Sequence, residues 1–190
     1  MCWWNPANLL TVARLLAAVP AIWAIVSERF LLALIVLLLA GISDVLDGLL
    51  ARSRGQVTRL GAYLDPVADK LLLSGCYLGM GVSGVAPWWL VVLVLGRDIL
   101  ILAAVGVLLL ATSVRGFAPS MWGKLSTVVQ VIAGVTLLLA AGCPWAPLGR
   151  LGWWLSLSAA LATAWSGADY LRWLVVRVVR RGNSGFSGHV

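Results

Sequence analysis

Apolar positions along the chain gather into six long runs, separated by short breaks that are polar or rich in Gly and Pro. The runs span about residues 8–26, 30–51, 60–83, 88–112, 119–141 and 151–176. Each is near the length of roughly 20 apolar residues that a helix needs to cross a bilayer. The breaks are Ser27-Glu28-Arg29, Arg52 to Gln56, Gly84 to Pro87, Thr112 to Pro119 and Gly142 to Arg150. Breaks this short predict that consecutive helices are antiparallel neighbours. The pattern predicts an all-α, polytopic bundle of six transmembrane helices. One membrane domain, residues 1–181, is expected, with a flexible tail over residues 182–190.

Composition narrows the solvent. Hydrophobic residues make up 62% of the 190 residues and charged residues 11%, and the mean hydropathy is +0.99. A soluble domain is nearer 45–50% apolar and about 25% charged, so a water-soluble globule and a disordered chain are both excluded. The net charge of +7 would suggest nucleic acid in a soluble protein. Here no extended basic face exists to carry that, and no nucleic-acid partner is expected. Basic residues instead flank spans on the cytoplasmic side and meet anionic head groups. With both termini cytoplasmic, the inner segments carry Arg52, Arg54, Arg59, Arg115, Arg172, Arg177, Arg180 and Arg181, and the outer loops carry Arg29 and Arg150. That asymmetry sets the expected orientation. Trp3-Trp4, Trp88-Trp89, Trp145 and Trp153-Trp154 fall near span ends, where Trp anchors at the interface. Cys2, Cys76 and Cys143 are too few and too far apart for a disulfide framework or a zinc site. Arg14 interrupts the first run, which reads as a retained span rather than a cleaved signal.

The acids are distributed unlike those of an inert membrane protein. Of seven in the chain, Asp44, Asp47, Asp65 and Asp69 cluster around the end of the second run and in the third. A carboxylate deep in a membrane helix costs about 2.5–3.5 kcal/mol on insertion scales, so the group requires compensation. Asp44 and Asp47 stand at i, i+3, and Gly61, Asp65 and Asp69 form an i, i+4, i+8 stripe on the next helix. Pro66 is expected to kink or restart that helix. A short basic loop joins the two helices, so both acidic faces can converge. Four convergent carboxylates repel one another unless they surround hard divalent cations, which take oxygen ligands. A two-metal site suits displacement at phosphorus. Gly48 and Gly61 remove side chains where a ligand could approach the backbone, although close helix packing also favours Gly. Arg52, one turn beyond Asp47-Gly48, can reach a substrate phosphate.

Asp44-Val45-Leu46-Asp47-Gly48-Leu49-Leu50-Ala51-Arg52, followed by Gly61, Asp65 and Asp69 at fixed spacing, resembles the D-x2-D-G-x2-A-R-x8-G-x3-D-x3-D signature of the CDP-alcohol phosphatidyltransferase family. Asn8-Leu9-Leu10-Thr11-Val12-Ala13-Arg14 is similar to the N-x-L-T-x-x-R opening of its phosphatidylglycerophosphate synthases. Arg97-Asp98, Pro119 to Lys124, Thr127 and Gln130 are similar to later elements of that branch. The resemblance implies six transmembrane helices, usually in a homodimer, and a cavity open to the cytoplasm and inner leaflet. It implies a two-metal site with Mg2+ or Mn2+. Asp44, Asp47, Asp65 and Asp69 would be metal ligands, with Asp69 as candidate general base and Asp65 its competitor. Gly48, Ala51, Arg52 and Gly61 would line the CDP site. The reaction would move a phosphatidyl group from CDP-diacylglycerol to an alcohol and release CMP, in a bacterial cytoplasmic membrane.

Glycerol 3-phosphate is the leading acceptor. Its phosphate dianion needs basic partners, and Arg14, Arg59, Arg97, Arg115 and Lys124 are the candidates. Arg97 lies well inside the fourth run, where an unpaired charge is costly. Asp98 points about 100° away round the helix, so it need not be the partner of Arg97, and a structural pair with an acid on another helix is the alternative role. Arg97-Asp98 and a lone Lys124, followed by Leu125-Ser126, also resemble cardiolipin synthases of the family, which makes phosphatidylglycerol the alternative acceptor; inositol phosphate or serine follow. An ion transporter is the remote alternative, disfavoured because the acids lie near one membrane face and no interrupted helices repeat in the two halves. His189 reads as solvated tail, and Asp169 as a structural partner in the last span.

Overall fold

The computed structural model describes residues 6–53, 59–111, 121–143 and 145–184, with side chains described over 16–43, 69–103, 121–143, 145–170 and 172. These residues form six α-helices: α1 (Pro6–Val26), α2 (Phe30–Ser53), α3 (Arg59–Val82), α4 (Trp88–Ala111), α5 (Met121–Gly142) and α6 (Ala146–Ser184). Among the described residues there are no strands. Pro6 opens α1 at the first helical position, where its missing N–H costs nothing. α3 runs as one helix through Pro66, so the expected restart there does not occur. α6 is helical to Ser184, past the boundary read at Gly182 for the tail.

The turns have identifiable caps. After α1, the Glu28 amide donates to Ile25 O at 3.0 Å and the Arg29 amide to Ala24 O at 2.8 Å. This is a Schellman closure, with Glu28 at φ 60 in the left-handed position usually held by Gly. The Arg29 guanidinium lies over the Trp23 ring, 5.2 Å from its centroid, a cation–π contact. Gly84, at φ 73, reverses the chain after α3. Pro87 O then accepts from the Leu90 and Val91 amides and starts α4.

Helix packing departs from simple sequential pairing. α1 packs on both α2 and α3, α6 on α4 and α5, and the two groups join through α2–α5, α3–α4 and α3–α5. Among the described residues the backbones of α2 and α3 do not pack closely against each other, nor do those of α4 and α5, so the antiparallel-neighbour expectation holds for only some pairs. Small residues let the backbones approach: a Cβ on Gly79 would lie 3.4 Å from Ile25 Cγ2, and one on Gly152 3.2 Å from Leu137 Cδ2.

Polar side chains are buried within a largely apolar core, and large apolar side chains face outward. Arg97, Asp98, Ser126, Gln130, Thr163 and Ser166 are buried, while Leu16, Val19, Ile35, Leu39, Val92, Ile99, Val128 and Leu161 are exposed. Exposed apolar surface on this scale marks an apolar surrounding or a partner. By length and composition, α5 qualifies among the described residues as a membrane span, with mean hydropathy 2.0; Leu16–Val26 and Phe30–Ser43 are shorter apolar segments. Trp89 and Trp153 meet edge to face at 6.2 Å near one end of the bundle. Trp122 and Trp165 do so at 6.1 Å elsewhere along α6.

Candidate active site

A cavity of about 670 Å³ opens between α2, α3 and α5. α2 supplies Leu34, Leu37, Leu38, Gly41 and Ile42; α3 supplies Asp69, Leu72, Leu73, Cys76, Tyr77 and Met80; α5 supplies Thr127, Val131, Gly134, Val135 and Leu138. The wall is overwhelmingly apolar, and Asp69 is its one charged residue among the described residues. On α3 the cavity positions 69, 72, 73, 76 and 80 follow the i, i+3, i+4, i+7, i+11 spacing of one helical face. A second face of α3, with Gly75 and Gly79, approaches Ile22 and Ile25 of α1. A third, with Lys70 and Ser74, meets α4.

Of the acidic motif, Asp69 reaches this cavity among the described residues. Asp69 is exposed and stands in its wall. On α2, the wall residue Ile42 precedes Asp44 by two positions. Asp44, Asp47, Gly48, Ala51 and Arg52 belong to α2, and Arg59, Gly61 and Asp65 to α3; their side chains lie outside the described residues. Arg14 is on α1 with its side chain likewise outside them, and Arg115 lies outside altogether. Lys124 is exposed on α5. Among the described residues no three His, Cys, Asp or Glu side chains come together as a metal site.

Arg97 has a different setting from the one expected. It is 7% exposed, and its Nη1 donates to Asp98 Oδ1 at 2.7 Å. The sequence-adjacent carboxylate is therefore its partner: the long Arg side chain curls round the helix to cover the 100° offset. Its Nη2 donates to Gly123 O and Ser166 Oγ, both at 3.2 Å. Lys70 Nζ donates to the same Asp98 Oδ1 at 2.7 Å, and Ser74 Oγ to Asp98 Oδ2 at 3.2 Å. The network ties α3, α4, α5 and α6 together beside the acidic motif. Arg97 and Asp98 stand out in the sequence as opposite charges inside the apolar fourth run; Lys70, directly after Asp69, and Ser74 carry no such signal. A smaller polar set lies between α3, α5 and α6. Tyr77 Oη donates to Gln130 O at 2.8 Å, and Gln130 Nε2 to Thr163 Oγ1 at 2.7 Å.

The family model for CDP-alcohol phosphatidyltransferases matches residues 4–165. The chain belongs to the CDP-alcohol phosphatidyltransferase family. It is therefore a transferase of this family, with relatives that act in phospholipid synthesis. It is 37% identical over 175 residues to a probable phosphatidylglycerophosphate synthase of Mycobacterium tuberculosis, covering 88% of this chain and 80% of the relative. It is 34% identical over 169 residues to the CMP-forming cardiolipin synthase of Streptomyces coelicolor, covering 84% and 73%. The fold is similar to the crystal structure of a phosphatidylinositol phosphate synthase of Mycobacterium tuberculosis with CDP-DAG bound. The TM-score is 0.62 and the identity 20%, over 90% of this chain and 87% of that one. This phosphatidyltransferase thus shares its helical fold with a protein solved with that nucleotide lipid.

Proposed function

We propose that this phosphatidyltransferase spans the membrane with all six helices and transfers a phosphatidyl group from CDP-diacylglycerol to glycerol 3-phosphate, releasing CMP. The observation that carries the reading is Asp69 standing in the wall of a large apolar cavity. An apolar cleft with a carboxylate at its wall suits a substrate that is part lipid and part diphosphate. The homologue named phosphatidylglycerophosphate synthase supports the acceptor. The apolar exterior supports the bilayer setting, and the charge asymmetry of the loops supports cytoplasmic termini in a bacterial cytoplasmic membrane. One catalytic domain over residues 1–181, acting as a homodimer, completes the proposal.

The donor set is all carboxylate oxygen, on two helices that border one cavity, and this chemistry fits Mg2+ or Mn2+. Asp44, Asp47, Asp65 and Asp69 would hold the metal. When bound, it supplies neutralisation of the diphosphate and stabilisation of CMP as leaving group. The chain's own residues do the rest. Gly48, Ala51 and Gly61 leave room for the nucleotide, and Arg52 pairs with a phosphate. Asp69 takes the proton of the acceptor hydroxyl, with Asp65 the competing base. The acceptor oxygen forms a bond to the lipid-side phosphorus as the bond to CMP breaks. The apolar walls from Leu34 to Ile42 and from Val131 to Leu138 take the acyl portion.

Phosphatidylglycerol is the second reading, favoured by Arg97. Its guanidinium is engaged by Asp98, Gly123 and Ser166, which leaves Arg14, Arg59, Arg115 and Lys124 as acceptor cations. A smaller cation set suits the single charge of a phosphodiester. The test is CMP release by purified protein with each acceptor, with the lipid product identified by mass.

A further inference from the structure

We infer that Asp98 is a positioning residue: through Lys70 and Ser74 it fixes the rotation of α3 and so the placement of Asp69 in the cavity. The inference rests on the role proposed for Asp69. Asp98 is 4% exposed, and both its oxygens are used against α3, Oδ1 by Lys70 and Oδ2 by Ser74. Those two residues are one helical turn apart, so the pair holds α3 against rotation rather than at a single point. Asp98 is itself held by Arg97, whose Nη2 reaches Gly123 on α5 and Ser166 on α6. The clamp is thereby referenced to three other helices. Lys70 is adjacent to Asp69 in sequence, and α3 has reason to need the clamp there. Pro66 lacks the N–H that would bond back to residue 62, which leaves the turn carrying Asp65 and Asp69 without one of its restraints.

The geometry sets the scale. A side-chain tip lies about 5–6 Å from a helix axis, so a 20° rotation of α3 moves the Asp69 carboxylate by roughly 2 Å. A displacement of about 1 Å at a reacting group can lower the rate 100-fold. Electrostatics alone makes the opposite prediction for Lys70. Removing an ammonium beside a cation site should tighten cation binding, whereas releasing α3 should weaken it.

The experiment uses full-length protein in lipid nanodiscs, with Mn2+ as the probe. Mn2+ binding is titrated by electron paramagnetic resonance without substrate, and CMP release is measured in parallel for wild type, Lys70→Met, Lys70→Arg, Ser74→Ala and Asp98→Asn. Lys70→Met and Asp98→Asn are expected to weaken Mn2+ binding at least 10-fold and lower kcat at least 10-fold, with KM for both substrates within 3-fold of wild type. Ser74→Ala, the mildest change, shifts Mn2+ affinity at least 3-fold in the same direction, and Lys70→Arg restores both readouts to within 3-fold of wild type. Unchanged or tighter Mn2+ binding in folded Lys70→Met or Ser74→Ala overturns the inference, as does a Lys70→Arg protein impaired like Lys70→Met. A wild type that binds Mn2+ yet releases no CMP overturns the proposed reaction instead, and the Mn2+ titration still decides the role of Asp98.

Discussion

Removing Asp98 should destabilise the bundle far more than removing Arg97, although Arg97 makes bonds to three partners. The network holds two cations, Lys70 and Arg97, against one carboxylate. The side chains of Arg97 and Asp98 are 6% and 5% exposed, and that of Lys70 is 24% exposed. Asp98→Ala leaves Arg97 buried beside a like charge with no counter-ion among the described residues. Stranding a buried charge in this way costs about 3–5 kcal/mol. Arg97→Met leaves the Asp98–Lys70 pair neutral and still supported by Ser74. It also removes Arg97 Nε, a buried donor with no partner among the described residues, whose burial carries about 1–3 kcal/mol of desolvation penalty. Gly123 O keeps the Thr127 hydroxyl at 3.0 Å. The expected loss for Arg97→Met is about 1–2 kcal/mol, on the scale of hydrogen bonds lost. The gap of about 2 kcal/mol is roughly 30-fold in the unfolding equilibrium. The double variant Arg97→Met with Asp98→Ala should be more stable than Asp98→Ala alone, a non-additivity expected for residues in one network. Reversible unfolding in mixed micelles, titrated with SDS and followed by Trp fluorescence, measures all three. An Arg97→Met protein as unstable as Asp98→Ala, or a double variant worse than both, would refute the charge count.

Three further outcomes follow from other parts of the fold. A Cβ on the cavity residue Gly41 would meet nothing within 4 Å; Gly41→Leu should retain or slightly raise stability through better helix propensity, about 0.8 kcal/mol, while lowering CMP release at least 10-fold by occupying the cavity. Equal activity in a folded Gly41→Leu protein would remove the cavity from the substrate path. Glu28→Gly should stabilise by about 0.5–1 kcal/mol, because the left-handed turn at φ 60 strains any residue with a Cβ; a lower unfolding midpoint would count against the capping account. Tyr77→Phe removes one α3–α5 hydrogen bond and should cost about 0.6 kcal/mol, at most about 1.7, in the same SDS titration.

The helices were legible because apolar runs and their breaks are local signals. Breaks such as Ser27-Glu28-Arg29 and Gly84 to Pro87 coincide with the turns between α1 and α2 and between α3 and α4. α6 was read too short at both ends. Pro147 sits in its first turn, where Pro is tolerated, and its last turns carry Arg177, Arg180, Arg181, Asn183 and Ser184, so hydropathy marks where the apolar stretch stops and not where the helix does. That a cavity lies between the helices was legible only through the family resemblance. The cavity's third wall was not, because which helices pack across a bundle depends on non-local contacts such as α2 with α5. The Arg97–Asp98 pair needed the structure for a related reason: Cβ direction sets a 100° offset between the two, but a long flexible side chain can turn back on its own helix. The roles of Lys70 and Ser74 needed the α3–α4 packing to become visible.

The most direct test of metal-dependent phosphatidyl transfer is CMP release from CDP-diacylglycerol with glycerol 3-phosphate, measured with Mn2+, with EDTA, and in Asp69→Asn protein. Mn2+-dependent release is predicted, with a lipid product of the mass of phosphatidylglycerophosphate and loss of at least 1,000-fold on chelation or in Asp69→Asn, roughly 4 kcal/mol of transition-state stabilisation. Release that survives both EDTA and Asp69→Asn would contradict the aspartate site, and no release with either glycerol 3-phosphate or phosphatidylglycerol would contradict the proposed acceptors.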